Sequence, residues 1–226
     1  MTQPERTAAT RQKLIEATID CLVKFGYATT STTLIAERAG VSRGALFYNF
    51  ATKADLMLAV LDDVYETDTK LYDDNLKGIT NDRDYALALT KLSWQAFSGR
   101  GGIATMRIAL EGSNDPELKD RLPASLARVS DRARNRQDAR APTGAHRTRL
   151  RLAASRVHVA ALRGLTMSMI TGAKPEDLRD ELELLNRYMQ FVTDVLWARS
   201  RRRRSQGERR QMTAKSAYFG PGSGTH

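Results

Sequence analysis

Apolar residues recur at three-to-four spacing along most of the chain, the period of an amphipathic helix. Leu14, Ala17, Ile19, Cys21, Leu22 and Phe25 make one wide face over residues 10–25, and Gly26 closes that helix. A hydroxyl run, Thr29, Thr30 and Ser31, supplies N-caps for a short helix over 32–39, with Leu34, Ile35, Ala36 and Ala39 apolar and Gly40 as its stop. Ser42 caps a third helix ending near Phe50, and Thr52 caps a fourth. Leu56, Val60, Val64, Thr67 and Leu71 predict that the fourth runs for about 24 residues to Asn75, with Asp62, Asp63, Glu66, Asp73 and Asp74 on a solvated face.

The later pattern predicts helices over 82–98 and 103–111, separated by Gly99, Gly101 and Gly102. A seventh helix opens at Pro116 and bends or starts late because of Pro123. Residues 132–151 are Arg-rich and interrupted by Ala-Pro-Thr-Gly, which reads as a loop. Helices over 149–171 and 175–198 follow. The last carries two apolar stripes, Leu178-Leu182-Leu185-Met189-Val192-Leu196 and Leu184-Tyr188-Phe191-Val195. So wide an apolar surface needs two partners: its own core and either a second copy of the chain, the favoured reading, or the surrounding helices of a larger bundle. Leu162, Leu184, Tyr188, Phe191 and Val195 are the interface candidates. No strand and no internal repeat is evident, so the fold class is all-α.

Two helices as short as 32–39 and 43–50 are not stable alone in water. Joined by a tight glycine turn and packed through Ile35, Ala36, Ala39, Val41, Leu46 and Phe50, they form a helix-turn-helix. The second helix then presents Arg43, Gly44, Ala45, Phe47, Tyr48 and Asn49 outward. That set suits a major groove. Arg43, one residue past the cap, can fork onto guanine O6 and N7, while Gly44 and Ala45 let the backbone approach and Ala45 or Phe47 can meet a thymine methyl. Thr33 can reach a base edge or a phosphate; Thr30, Ser31, Tyr48, Asn49 and Lys53 are placed for phosphates, beside the helix N-terminus at Ser42.

Net charge points to a polyanion partner, nucleic acid or an anionic membrane surface, but is weak evidence for specific DNA binding. The 226 residues carry a formal net charge of +10, yet residues 1–60 hold seven Lys/Arg against five Asp/Glu. The excess lies in 118–163, twelve against three, and in 199–226, eight against one. The motif, not the net charge, carries the case for duplex DNA. The single cysteine, Cys21, sits among apolar neighbours and reads as a small buried hydrophobe. With no apolar run of membrane length and no signal-peptide pattern, the reading is a cytoplasmic protein.

Gly26-Tyr27, Thr30-Ser31, Ile35-Ala36, Ala39-Gly40-Val41-Ser42, Gly44, Leu46, Phe50 and Lys53 resemble, in register, the N-terminal signature of tetracycline-repressor (TetR) family regulators. The resemblance covers about residues 10–60. It implies an all-helical homodimer in which three helices bind DNA and the rest sense a small ligand and dimerise. Two positions depart from it: Phe47 where the family often has Tyr, and Asn49 where it often has His.

The domain organisation expected is a disordered arm over 1–9, the DNA-binding domain over 10–52, a ligand-binding and dimerisation domain over 53–198, and a disordered Arg-rich tail over 199–226. Trp94, Phe97, Met106, Leu110, Val129, Met167 and Met169 are the residues that line an apolar pocket or simply fill the core. The function that follows is a sequence-specific regulator, a repressor released from a palindromic operator by a small apolar ligand. The competing classes are a sequence-neutral architectural DNA protein and a small helical enzyme. For the enzyme, His146, His158 and His226 lack metal-ligand spacing, and no nucleophile elbow or phosphate loop is present. No cofactor is implied, and His158 reads as a satisfied core histidine.

Overall fold

The computed structural model describes residues 2–140 and 149–195. Those residues form α1 (Gln3–Thr29), α2 (Thr32–Ala39), α3 (Arg43–Asn49), α4 (Lys53–Leu76), α5 (Asp82–Ser98), α6 (Arg100–Glu111), α7 (Leu122–Arg140), α8 (Arg149–Ile170) and α9 (179–195). No strand occurs among the described residues. The tail expected from 199 onward, His146 and His226 lie outside them.

Three expectations are corrected. α1 begins at Gln3 rather than Thr10, because Thr2 and Glu5 close a capping box and Pro4 sits in the first turn. The segment expected as a disordered arm is therefore helical from Gln3. Gly101 and Gly102 do not separate helices; they lie in the first turn of α6. A Cβ on Gly101 would stand 3.0 Å from Val64 of α4, and one on Gly102 would collide with the Ala96 and Phe97 carbonyls. Their small size is thus a packing requirement at the α5–α6 elbow.

The third correction is the Arg-rich stretch, which is helical as far as Arg140. Its charge has a target inside the chain. Arg132 of α7 reaches Asp62 at 3.4 Å and Glu66 at 3.8 Å on α4, and its guanidinium lies 5.0 Å from the Tyr65 ring. Part of the acidic face expected to be solvated is covered by α7.

One apolar core joins the two halves. Leu14, Leu22, Ile35, Leu46, Leu56, Met57, Val60, Ile108, Leu118 and Leu122 belong to a single buried cluster, drawn from α1 to α4, α6 and the approach to α7. Cys21 is fully buried in it, and burial raises its thiol pKa, as expected for an inert core residue. Gly26, at φ 80°, kinks α1 so that Tyr27 turns into the same cluster. A separate, smaller cluster of Leu76, Tyr85 and Leu92 sits where α4 ends against α5.

Asp68 on α4 is half-buried, and burial raises its carboxyl to about 6. The unfolded value is about 3.9. The folded state therefore binds this proton more tightly, so its contribution is fully present below pH ~4 and is lost as pH rises through about 6. Asp68→Asn is expected to melt higher than wild type at pH 8, with the gap closing by pH 4, as read by calorimetry.

Candidate nucleic-acid interface

The reader is assembled from short caps. Ser31 Oγ accepts from the Leu34 amide at 3.2 Å and opens α2. Gly40, at φ 65°, turns the chain in a left-handed conformation that a side chain would disfavour. The Val41 amide then donates to the Ala36 carbonyl at 3.0 Å, and Ser42 Oγ accepts from the Ala45 amide at 3.1 Å to open α3. Ile35, Ala36, Leu46 and Phe50 are buried beneath.

That packing leaves one face outward. Ser31, Thr33, Ser42, Arg43, Gly44, Phe47 and Tyr48 are exposed, with Tyr48 at 76% and Phe47 at 43%. Two adjacent exposed aromatics on a seven-residue helix offer apolar surface that a partner can cover. The Arg43 guanidinium lies 5.9 Å from the Phe47 ring, so the charge and the apolar surface form one contiguous patch. Ala45 and Asn49 are half-buried, and Asn49 Nδ2 donates to the Ala45 carbonyl at 2.8 Å.

Two expected phosphate contacts sit elsewhere. Thr30 is fully buried, its hydroxyl donating to the Gly26 carbonyl at 2.6 Å, so it stabilises the kink and is removed from the surface. Lys53 is half-buried and folds back: Nζ donates to the Tyr27 carbonyl at 3.3 Å and stands 4.2 Å from that ring. Burial lowers its pKa.

Sequence reasoning missed two features. Arg11 of α1 stacks on Phe50 at 4.3 Å, and its guanidinium donates to the Asn49 carbonyl at 3.5 Å, where a cation favours the C-terminus of α3. The second is a bracket between the reader and the α6–α7 segment. Tyr27 donates to Asp115 at 2.8 Å, and burial followed by that bond raises the phenol pKa. Arg121 donates to Asp55 at 2.7 Å and holds that carboxyl below its ordinary range, while Asp55 also closes the Thr52 capping box that opens α4. The bracket flanks an open cleft of about 700 Å³ lined by residues that include Tyr27, Lys53, Glu111 and Asp115.

The other candidate residues are dispersed. Trp94, Phe97, Met106, Val129 and Met169 are half-buried, whereas Leu110 and Met167 are exposed in the single chain and do not line an interior. Leu162 is fully buried within its own chain, which removes it from the interface set. Leu184 and Phe191 are 69% and 67% exposed, with Tyr188 and Val195 beside them on the outer stripe of α9. Leu178 and Leu185 of the inner stripe are buried. His158 is buried as expected but not satisfied: neither ring nitrogen has a hydrogen-bond partner.

Among the described residues no three His, Cys, Asp or Glu gather to hold a metal ion, and no helix is long and apolar enough to cross a membrane. Residues 14–60 match a family described as "Bacterial regulatory proteins, tetR family". The uncharacterized HTH-type transcriptional regulator Rv2912c of Mycobacterium tuberculosis (strain H37Rv) is 31% identical over 137 residues, 59% of this chain and 70% of that protein. The HTH-type transcriptional repressor Rv1474c of the same organism is 25% identical over 191 residues, 80% of this chain and 93% of its own length. Among solved structures, the multidrug binding protein EbrR complexed with imidazole superposes with a TM-score of 0.54 at 26% identity, covering 82% of this chain and 90% of that one.

Proposed function

Because the chain belongs to the TetR family of bacterial transcriptional regulators, we propose that it is a repressor that binds an inverted-repeat operator as a homodimer and releases it when a small molecule enters the C-terminal helices. The observation that carries the reading is the outward patch of α3, where Arg43, Phe47 and Tyr48 stand exposed on a helix whose other side is buried. Arg43 reads a guanine, Phe47 a thymine methyl, and Tyr48, Thr33 and the N-terminal amides beyond Ser42 position the phosphates. The likeness to a repressor and to a multidrug binding protein supports the direction of control and a small-molecule partner.

The homodimer is proposed through the outer stripe of α9, Leu184, Tyr188, Phe191 and Val195. Two readers related by a two-fold axis require a two-fold site. Selection of bound sequences from random duplex DNA is expected to return an inverted repeat with guanine in each half-site. A pool without consensus would instead favour sequence-neutral binding and overturn the reading.

α4 supplies the coupling. Its 24 residues span about 36 Å, from the capping box beside the reader to the cluster of Leu76, Tyr85 and Leu92. A tilt at the far end changes the separation of the two readers, and a mismatch of a few Å loses simultaneous engagement. By linkage, operator DNA must weaken ligand binding by the same factor that the ligand weakens operator binding. Titration of an inducing ligand with and without operator measures this; equal affinities would remove α4 as the switch.

A further inference from the structure

Native proteins leave few buried polar side chains without a hydrogen bond, and each exception calls for a reason. His158 on α8 is such an exception: 4% exposed, with both Nδ1 and Nε2 unpartnered. Its direction follows from its neighbours on the helix. His158, Leu162 and Thr166 recur every fourth residue and form the buried stripe of α8. Thr166 Oγ1 lies 3.3 Å from the Phe97 carbonyl on α5. The stripe faces α5, and the imidazole is held inside the bundle.

α8 packs against α5 and α6. α5 contributes buried hydroxyls, Thr90 and Ser93, among its apolar residues. Both are already engaged: Thr90 Oγ1 donates to the Ala86 carbonyl at 2.9 Å, and Ser93 Oγ lies 3.3 Å from the Tyr72 hydroxyl of α4. Among the described residues, the imidazole has both of its ring nitrogens left over. Small-molecule sites combine apolar walls with a few placed polar groups, and an unpartnered imidazole on a buried stripe supplies one such group.

We propose that His158 is the polar anchor of the ligand, and that the ligand is an uncharged amphiphile that presents a hydroxyl, of the phenol or alcohol type, on an apolar body. This rests on the reading of the chain as a ligand-controlled regulator. A neutral imidazole has one donor and one acceptor, and a hydroxyl is the smallest group that is also both. Burial lowers the ring to about 4, so it is neutral near pH 7. A carboxylate accepts only, so it would leave the ring's acceptor nitrogen unpaired and bring an unpaired charge into the interior. The unpartnered ring destabilises the free protein, as a site kept for binding commonly does.

The test compares full-length wild type with His158→Leu. The probes are 4-ethylphenol, 4-tert-butylphenol, 2-naphthol and 4-phenylphenol, each paired with the analogue carrying methyl in place of the hydroxyl. Binding is measured by calorimetry. At least one phenol is expected to bind wild type about tenfold or more tightly than its methyl partner. In His158→Leu that preference is expected to fall to within about twofold. The ligand-free variant is also expected to melt above wild type, since it removes an unsatisfied group. A hydroxyl preference that survives in His158→Leu, equal binding of both analogues by wild type, or a variant that melts below wild type overturns the anchor and leaves ligand control standing. Failure of every probe to bind wild type overturns the hydroxyl-bearing amphiphile as the ligand class, whereas ligand control itself is tested by the operator-linked titration above.

Discussion

Phe191→Glu with Val195→Glu is expected to turn the protein into a monomer that no longer holds its operator. Phe191 is 67% exposed on α9 and Val195 lies one turn further along the same stripe, so neither substitution removes a core side chain. In a dimer, however, four carboxylates would face an apolar surface, where unpaired charge is strongly unfavourable. The second half-site then no longer benefits from the first. Lost bivalency of this kind costs about 10²- to 10⁴-fold in overall affinity. Sedimentation velocity reads the association state, and titration of labelled operator reads the affinity. A double variant that stays dimeric would move the interface away from the outer stripe.

The second large effect is expected from Arg43→Ala. Arg43 is the first residue of α3, exposed, and 5.9 Å from the Phe47 ring. A bidentate contact with guanine contributes about 1–3 kcal/mol of discrimination, and a dimer makes it twice. The loss should reach about 2–6 kcal/mol on the full operator and fall to a much smaller value on operators in which that guanine is already replaced. Because the guanidinium makes no internal ion pair among the described residues, the folded state should be little affected. A loss that is the same for every operator variant would identify Arg43 as a phosphate contact instead.

The reader was legible in the sequence because its signals are local. Ser31, Gly40, Ser42 and Thr52 each fix a helix end through their own backbone or a cap three residues away, and α2, α3 and α4 start where those caps require. What escaped depends on residues far apart in the chain. Thr30 looks like a surface hydroxyl until the kink at Gly26 brings a carbonyl within 2.6 Å. Lys53 looks free until Tyr27, 26 residues earlier, comes to lie beneath it. Gly101 and Gly102 look like breakers because the crowding that demands them comes from α4 and the end of α5. The Arg-rich stretch looked like a loop because its partner, the acidic face of α4, is some 70 residues away. The pocket set was the least legible. Side-chain size alone does not separate Leu110 and Met167, which are exposed, from residues that face inward.

The single cluster that runs from Leu14 to Leu122 bears on how such regulators can be recombined. A chain cut at residue 52 would bare Leu14, Leu22, Ile35 and Leu46 where they now pack with Leu56, Met57, Val60 and Ile108. The DNA-reading segment is therefore not a transplantable cassette. A chimera that takes α1–α3 from one relative and everything after from another has a seam through its most tightly buried interior. To swap DNA preference, the exchange should be confined to the outer face of α3, where Arg43, Gly44, Phe47 and Tyr48 can change without disturbing a packed contact; a larger graft must carry α4 and α6 along with it.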